Sequence, residues 1–161
     1  MKKYVHKRSI NNPSEEYISL HDVRISQIKK NKRGIGFICE DPYTVVKEGK
    51  IYSVSKGSVH FEGVDFSDCE CYVFYGKASS EGEMLVGVPI TVSEINNYLK
   101  KKNSTIELNE EYVSYSGILF HGDLRPYQEG LGVDWKHVVI KIISNTIIEY
   151  SGMIDQECPE N

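Results

Sequence analysis

No stretch of the 161-residue sequence approaches the roughly 20 consecutive apolar residues that a helix needs to cross a bilayer. The positive start, Met1-Lys-Lys-Tyr-Val-His-Lys-Arg8, lacks the apolar run of a secretory leader. Phosphate-cradling glycine motifs are missing: there is no Gly-x-x-x-x-Gly-Lys-Ser/Thr and no Gly-x-Gly-x-x-Gly. The Gly-x-Ser-x-Gly elbow is absent too. Common nucleotide enzymes and α/β-hydrolases are thereby excluded, whereas enzymes with dispersed sites are not. No repeat, low-complexity segment or linker divides the chain. Cysteines are few: Cys39, Cys69, Cys71 and Cys158. With no leader before them, the expectation is a soluble cytoplasmic protein with reduced thiols and no membrane partner.

What is present suits one domain. A chain of this length buries about 70% of its unfolded surface, so it folds without metals or disulfides, and no cofactor is expected. Eleven Tyr against one Trp and five Phe give an aromatic set suited to half-buried strands and wet interfaces. Net charge is −4 but uneven: residues 1–33 carry nine Lys/Arg against three Asp/Glu, and the remainder ten against twenty. No aromatic-basic interleaving of the nucleic-acid kind accompanies the basic part, so a solvated tail and a charged turn are expected, not a nucleic-acid partner.

The apolar periodicity is that of strands. Residues 111–121 alternate as one long strand, and 138–143 with 147–150 read as a tight hairpin across Ser144-Asn145-Thr146. Ile18, Leu20, Val23, Ile25 and Ile28 alternate with one slip, which a β-bulge at His21-Asp22 would absorb. Short strands follow at Ile35–Cys39, Thr44–Val46, Ile51–Val54, Val59–Glu62, Cys69–Tyr75, Met84–Val88 and from Thr105. One helix, about residues 92–102, is signalled by a capping box, Thr91-Val-Ser-Glu94. Val92, Ile95, Tyr98 and Leu99 form its apolar face, three lysines suit its end, and Asn103 stops it. The fold class predicted is mainly β: an antiparallel β-sandwich or partly open barrel with one packed helix. Residues 1–16 are expected to be a flexible or edge arm, 17–150 a single β-rich domain, and 151–161 a loose tail.

Candidate chemistry gathers between His121 and His137. His121, Asp123, Asp134 and His137 are ligand types for zinc or a similar ion, and equally serve acid/base work. Their spacing matches no metal motif. A structural reading has the aspartates bonding loop amides, with Gly122, Gly130 and Gly132 supplying unusual dihedrals. Arg125, Tyr127 and Trp135 are the types that dominate interfaces, and loops between rigid strands are where binding residues sit. Binding residues are therefore expected at Arg125, Tyr127, Trp135, His121, Asp123 and His137, with Arg125 and Tyr127 exposed. His21-Asp22 is a second candidate; its structural alternative is Asp22 capping the bulge or pairing with Arg24. Cys69-Glu-Cys71 puts two thiols on one strand face, and burial as small hydrophobes is the reading favoured over a metal site with Cys39 or His60.

The run Ile18-Ser-Leu-His-Asp-Val-Arg-Ile25, followed by Ile35-Gly-Phe-Ile38, resembles the start of small bacterial β-rich proteins, some of them similar to immunity proteins of toxin systems. The resemblance covers about a tenth of the chain and implies a cytoplasmic β-rich protein with no known catalytic residue. The function expected is a non-catalytic protein-binding domain of immunity or inhibitor type, its partner another protein or a second copy through a sheet edge. One alternative is a metal-dependent or acid/base enzyme at residues 121–137. Another is a β-barrel binding a small ligand among tyrosines.

Overall fold

Period-two alternation becomes one antiparallel sheet. The computed structural model describes residues 2–9, 17–114, 117–125, 135–144 and 147–154. Among these lie twelve strands and one helix: β1 (Lys2–Ser9), β2 (Tyr17–Ser19), β3 (Arg24–Asn31), β4 (Gly34–Cys39), β5 (Tyr43–Lys47), β6 (Lys50–Glu62), β7 (Glu70–Ser79), β8 (Gly82–Pro89), α1 (Val92–Lys102), β9 (Thr105–Ser114), β10 (Gly117–Arg125), β11 (Trp135–Ile143) and β12 (Ile147–Ile154). The strand order is β1-β12-β6-β4-β3-β9-β10-β11-β7-β8, with β5 also beside β6 and β2 beside β5. The sheet is not closed into a barrel; β1 and β8 end the main strand path, and β2 ends the short branch through β5. The mainly-β class with one packed helix is the class the sequence predicts.

The core shows how the sheet curls. Phe37 on β4, Phe61 on β6 and Phe120 on β10 are fully buried and meet edge to face, 5.4, 5.2 and 5.7 Å between ring centroids. β10 lies three strand steps from β4, about 14 Å along a flat sheet at ~4.8 Å per step. Ring contact between them therefore requires the two halves to fold over one another.

Two consecutive strands break at the same level. β2 and β3 form one broken strand, β4 and β5 another, while β6 runs unbroken beside β4 and then β5. The apolar slip at residues 20–23 is the first break: Asp22 adopts φ 63°, and its N–H donates to Leu108 O at 2.8 Å. Aspartate tolerates that left-handed conformation better than most residues. Arg24 clamps the second break, its Nε and Nη2 reaching the two Asp41 oxygens at 2.7 and 2.6 Å. That bidentate pair holds Asp41 below the usual carboxylate range, the hydrogen bond from Arg24 being the main cause. Asp22 thus does not take Arg24; it meets His21 at 3.0 Å in the exposed turn. The β5–β6 turn, Glu48-Gly49, has φ of 52° and 76°, the paired left-handed geometry of a two-residue hairpin loop.

α1 forms where the capping box places it. Glu94 N donates to Thr91 Oγ1 at 3.2 Å, and Thr91 N to Glu94 Oε2 at 2.7 Å. Asn103 closes the helix at φ 51°. Ile95 and Leu99 are buried, Val92 and Tyr98 half-buried. β3 pairs with β9 only at Arg24 and Ile25; further along, Asn96 of α1 takes over. Ile28 N donates to Asn96 Oδ1 at 3.0 Å, and Asn96 Nδ2 donates to Ile28 O at 2.7 Å. One side-chain amide thereby substitutes for a neighbouring strand.

Three readings of the sequence are corrected. The single strand expected over 111–121 is a hairpin, β9 and β10, with Ser114 opposite Gly117. Alternation runs on through both strands of such a pair, so it cannot reveal the reversal. The hairpin expected between 138–143 and 147–150 does not form: β11 pairs with β10 and β7, and β12 with β6 and β1. Ser144 diverts the chain there, bridging Val64 with its hydroxyl donating to Glu62 O at 2.5 Å. The segments at Ile51–Val54 and Val59–Glu62 are one strand, β6, with Lys56 at φ 51° inside it. β1 supplies an edge strand, and β12 continues to Ile154, past residue 150.

Candidate functional site

Alternation along β10 sorts its side chains between two faces. Ile118, Phe120 and Leu124 enter the core, while His121 and Asp123 stand half-buried on the opposite face. Antiparallel register then fixes their neighbours. His121 lies opposite Glu110 on β9; Asp123 lies between Glu107 on β9 and His137 on β11. A register shift between His121 and Gly122 adjusts the β9 side. Gly122 matters for space: a Cβ there would sit 2.6 Å from Glu107 O and 2.8 Å from Ile106 Cγ2. The missing side chain lets β9 close against β10 beside the cluster.

His137 Nδ1 lies 2.5 Å from Asp123 Oδ1, which accepts the hydrogen bond. His121 Nδ1 lies 3.4 Å from Glu110 Oε2, and the two imidazole centroids are 5.8 Å apart. Arg125 donates from Nε to Glu107 Oε2 at 2.6 Å, with its Nη2 at 3.5 Å from Asp123 Oδ2. Desolvation pushes the Asp123 carboxyl up. Hydrogen bonds from His137 and Asn109 and the charges of His137 and Arg125 together prevail and set it below the ordinary carboxylate value. One donor atom from each of His121, Asp123 and His137 lies within 4.8 Å of the others.

The structure thus brings together three of the four residues singled out as ligand types, and they belong to paired strands, not to a loop folding back. Asp134 and Tyr127 lie outside the described residues, as do Gly130, Gly132 and the Trp135 side chain. Arg125 is exposed, as expected from the sequence, although Glu107 holds its guanidinium. Gly122 serves close approach, not a left-handed dihedral. Comparison of the chain with models of protein families, with curated proteins and with solved structures finds no match. Local geometry and chemistry therefore carry the functional reading.

Glu107, Asn109 and Glu110 are the site residues that the sequence reading missed. The β9–β10 hairpin register would have found them. The other candidates are dispersed. Cys71 and Cys39 are buried, their thiols pushed up to about 12 by desolvation. Cys69 is half-buried and accepts from Ile143 N at 3.4 Å. No cysteine joins a metal-type cluster among the described residues; Cys158 lies outside them. The sheet is not closed into a barrel, and Tyr43 and Tyr150 are buried in its core. Tyr17 and Tyr112 instead line a groove of about 410 Å³ between β2 and β9.

Proposed function

We propose that the chain is a non-catalytic binding domain of inhibitor or immunity type, which recognises another protein at the end of the sheet where β10 stops and β11 starts. The observation that carries this reading is the β7–β8 hairpin. β11 accompanies β7 only as far as Tyr75, opposite Trp135. Beyond it the two-stranded ribbon continues to the turn at Ser80-Glu81 with no third strand among the described residues. Such a ribbon is marginal in water. Even so, Met84 and Leu85, whose side chains take opposite faces, are 57% and 54% exposed, and Val88 is 37% exposed.

An apolar terminal strand is the surface that strand addition uses, main-chain hydrogen bonds giving affinity and alternate side chains specificity. Arg125 lies at the same end of the sheet and adds a residue type enriched in interface hot spots. Affinity purification with partner identification by mass spectrometry tests the reading. The wild-type chain retains a defined protein stoichiometrically, and Met84→Lys with Leu85→Lys abolishes its retention. Exposed substitutions of this kind leave stability within about 0.5 kcal/mol. Arg125→Ala and Tyr127→Ala weaken retention as well. Retention indifferent to all four substitutions, or no partner at all, overturns the proposal.

A further inference from the structure

Independently of partner recognition, we propose that His121, Asp123 and His137 form a mononuclear site for a divalent first-row transition metal, with zinc the best match. Two imidazole nitrogens and one carboxylate oxygen are the donors such ions prefer, and they do not suit calcium or magnesium, which take all-oxygen shells. The ladder supplies the geometry. His121 and Asp123 are two residues apart on β10, and His137 is directly across from Asp123 on β11. Three donors therefore project from one face within 4.8 Å of one another. Donors of a tetrahedral zinc with bonds of ~2.1 Å stand roughly 3.4 Å apart. Side-chain rotation closes or opens the remaining difference without moving the strands.

The surroundings fit the same assignment. Glu110 meets His121 at Nδ1, at 3.4 Å, which leaves Nε2 as the donor in a carboxylate–histidine–metal arrangement. Arg125 lies on Asp123 Oδ2, so Oδ1 is the ligand oxygen, now engaged by His137 and released when the ion enters between them. The guanidinium is not the only charged neighbour: Glu107 pairs with it at 2.6 Å, and Asp123 and Glu110 add two further acidic side chains. Three protein donors leave a fourth position for water or for an incoming donor group.

Zinc titration of chelator-stripped protein by calorimetry, with imidazole NMR, is the test. One zinc binds per chain, and the resonances that shift are those of His121 and His137, not His6, His21 or His60. Cobalt in its place gives the visible bands of a low-coordinate nitrogen and oxygen shell. His121→Ala and His137→Gln each weaken binding by about 100-fold or more, and Glu110→Gln by about 10-fold, the scale of an outer-sphere loss. Glutamine at 137 keeps a hydrogen-bond donor toward Asp123, so loss of folding does not mimic loss of a ligand. His21→Ala binds as the wild type does. No saturable binding, binding retained by His121→Ala, or shifts confined to other histidines overturns the assignment.

Discussion

Asn96 gives the sharpest test of how α1 is joined to the sheet. Its amide takes both main-chain groups of Ile28, at 3.0 and 2.7 Å, on the part of β3 that β9 leaves unpaired. Removing it with Asn96→Ala deletes two hydrogen bonds, each worth about 0.5–1.5 kcal/mol net. The N–H and C=O left behind are part-buried, so water recovers only some of that. The expected loss is about 2 kcal/mol, a fall in Tm of roughly 4–8 °C for a chain of this size. Asn96→Asp separates the two bonds. At neutral pH the carboxylate still accepts from Ile28 N but faces Ile28 O, so the variant is less stable than Asn96→Ala. Burial and that carbonyl raise the folded-state pKa of the introduced carboxyl above its unfolded value of about 3.9. The destabilisation is therefore complete above the folded pKa and fades as pH falls through it toward the unfolded value. Denaturant unfolding followed by circular dichroism across acid pH reads both effects. A loss under 0.5 kcal/mol for Asn96→Ala, or no acid recovery for Asn96→Asp, refutes the reasoning.

Gly122→Ala places a methyl 2.6 Å from Glu107 O and should destabilise by about 1–3 kcal/mol, measured by chemical unfolding; a neutral result would mean β9 is free to yield. Asp41 sits below the usual carboxylate range through its bond to Arg24, so the stability it contributes is full above that range and is lost as pH falls through its depressed folded value. Asp41→Asn should accordingly flatten the acid limb of a Tm–pH profile. Cys39 and Cys71, pushed up to about 12, should resist alkylation at neutral pH in the folded chain and react once denaturant is added, as peptide mass spectrometry would show.

Features governed by neighbours in sequence were legible before any coordinates. The helix at 92–102 follows from Thr91, Glu94 and Asn103, which act within one turn of its ends. The slip between Leu20 and Val23 marked a real break in a strand. Partner choice was not legible, because it depends on residues far apart in the chain. Ile148 and Tyr150 read as strand whether they face β11 or β6; Ser144, tied to Val64 and Glu62, decides the matter. Alternation through Tyr112 and Phe120 likewise hid the antiparallel pairing of β9 with β10. The site was half legible for the same reason. His121, Asp123 and His137 stood out by residue type, whereas Glu107, Asn109 and Glu110 join them only through the register of β9 on β10.

The two ends of the main strand path differ in a way that bears on self-association. Were β8 of one molecule to add to β1 of the next, the contact would be head-to-tail, and copies would accumulate into a filament unless the rotation closed a ring. β1 is poorly suited to accept such an addition. Lys2, Lys3 and Lys7 are exposed along it, and stacking another chain there would strip water from ammonium groups. Charge along β1 thus works against head-to-tail growth, a cost that an apolar β8 at the other end does not itself impose.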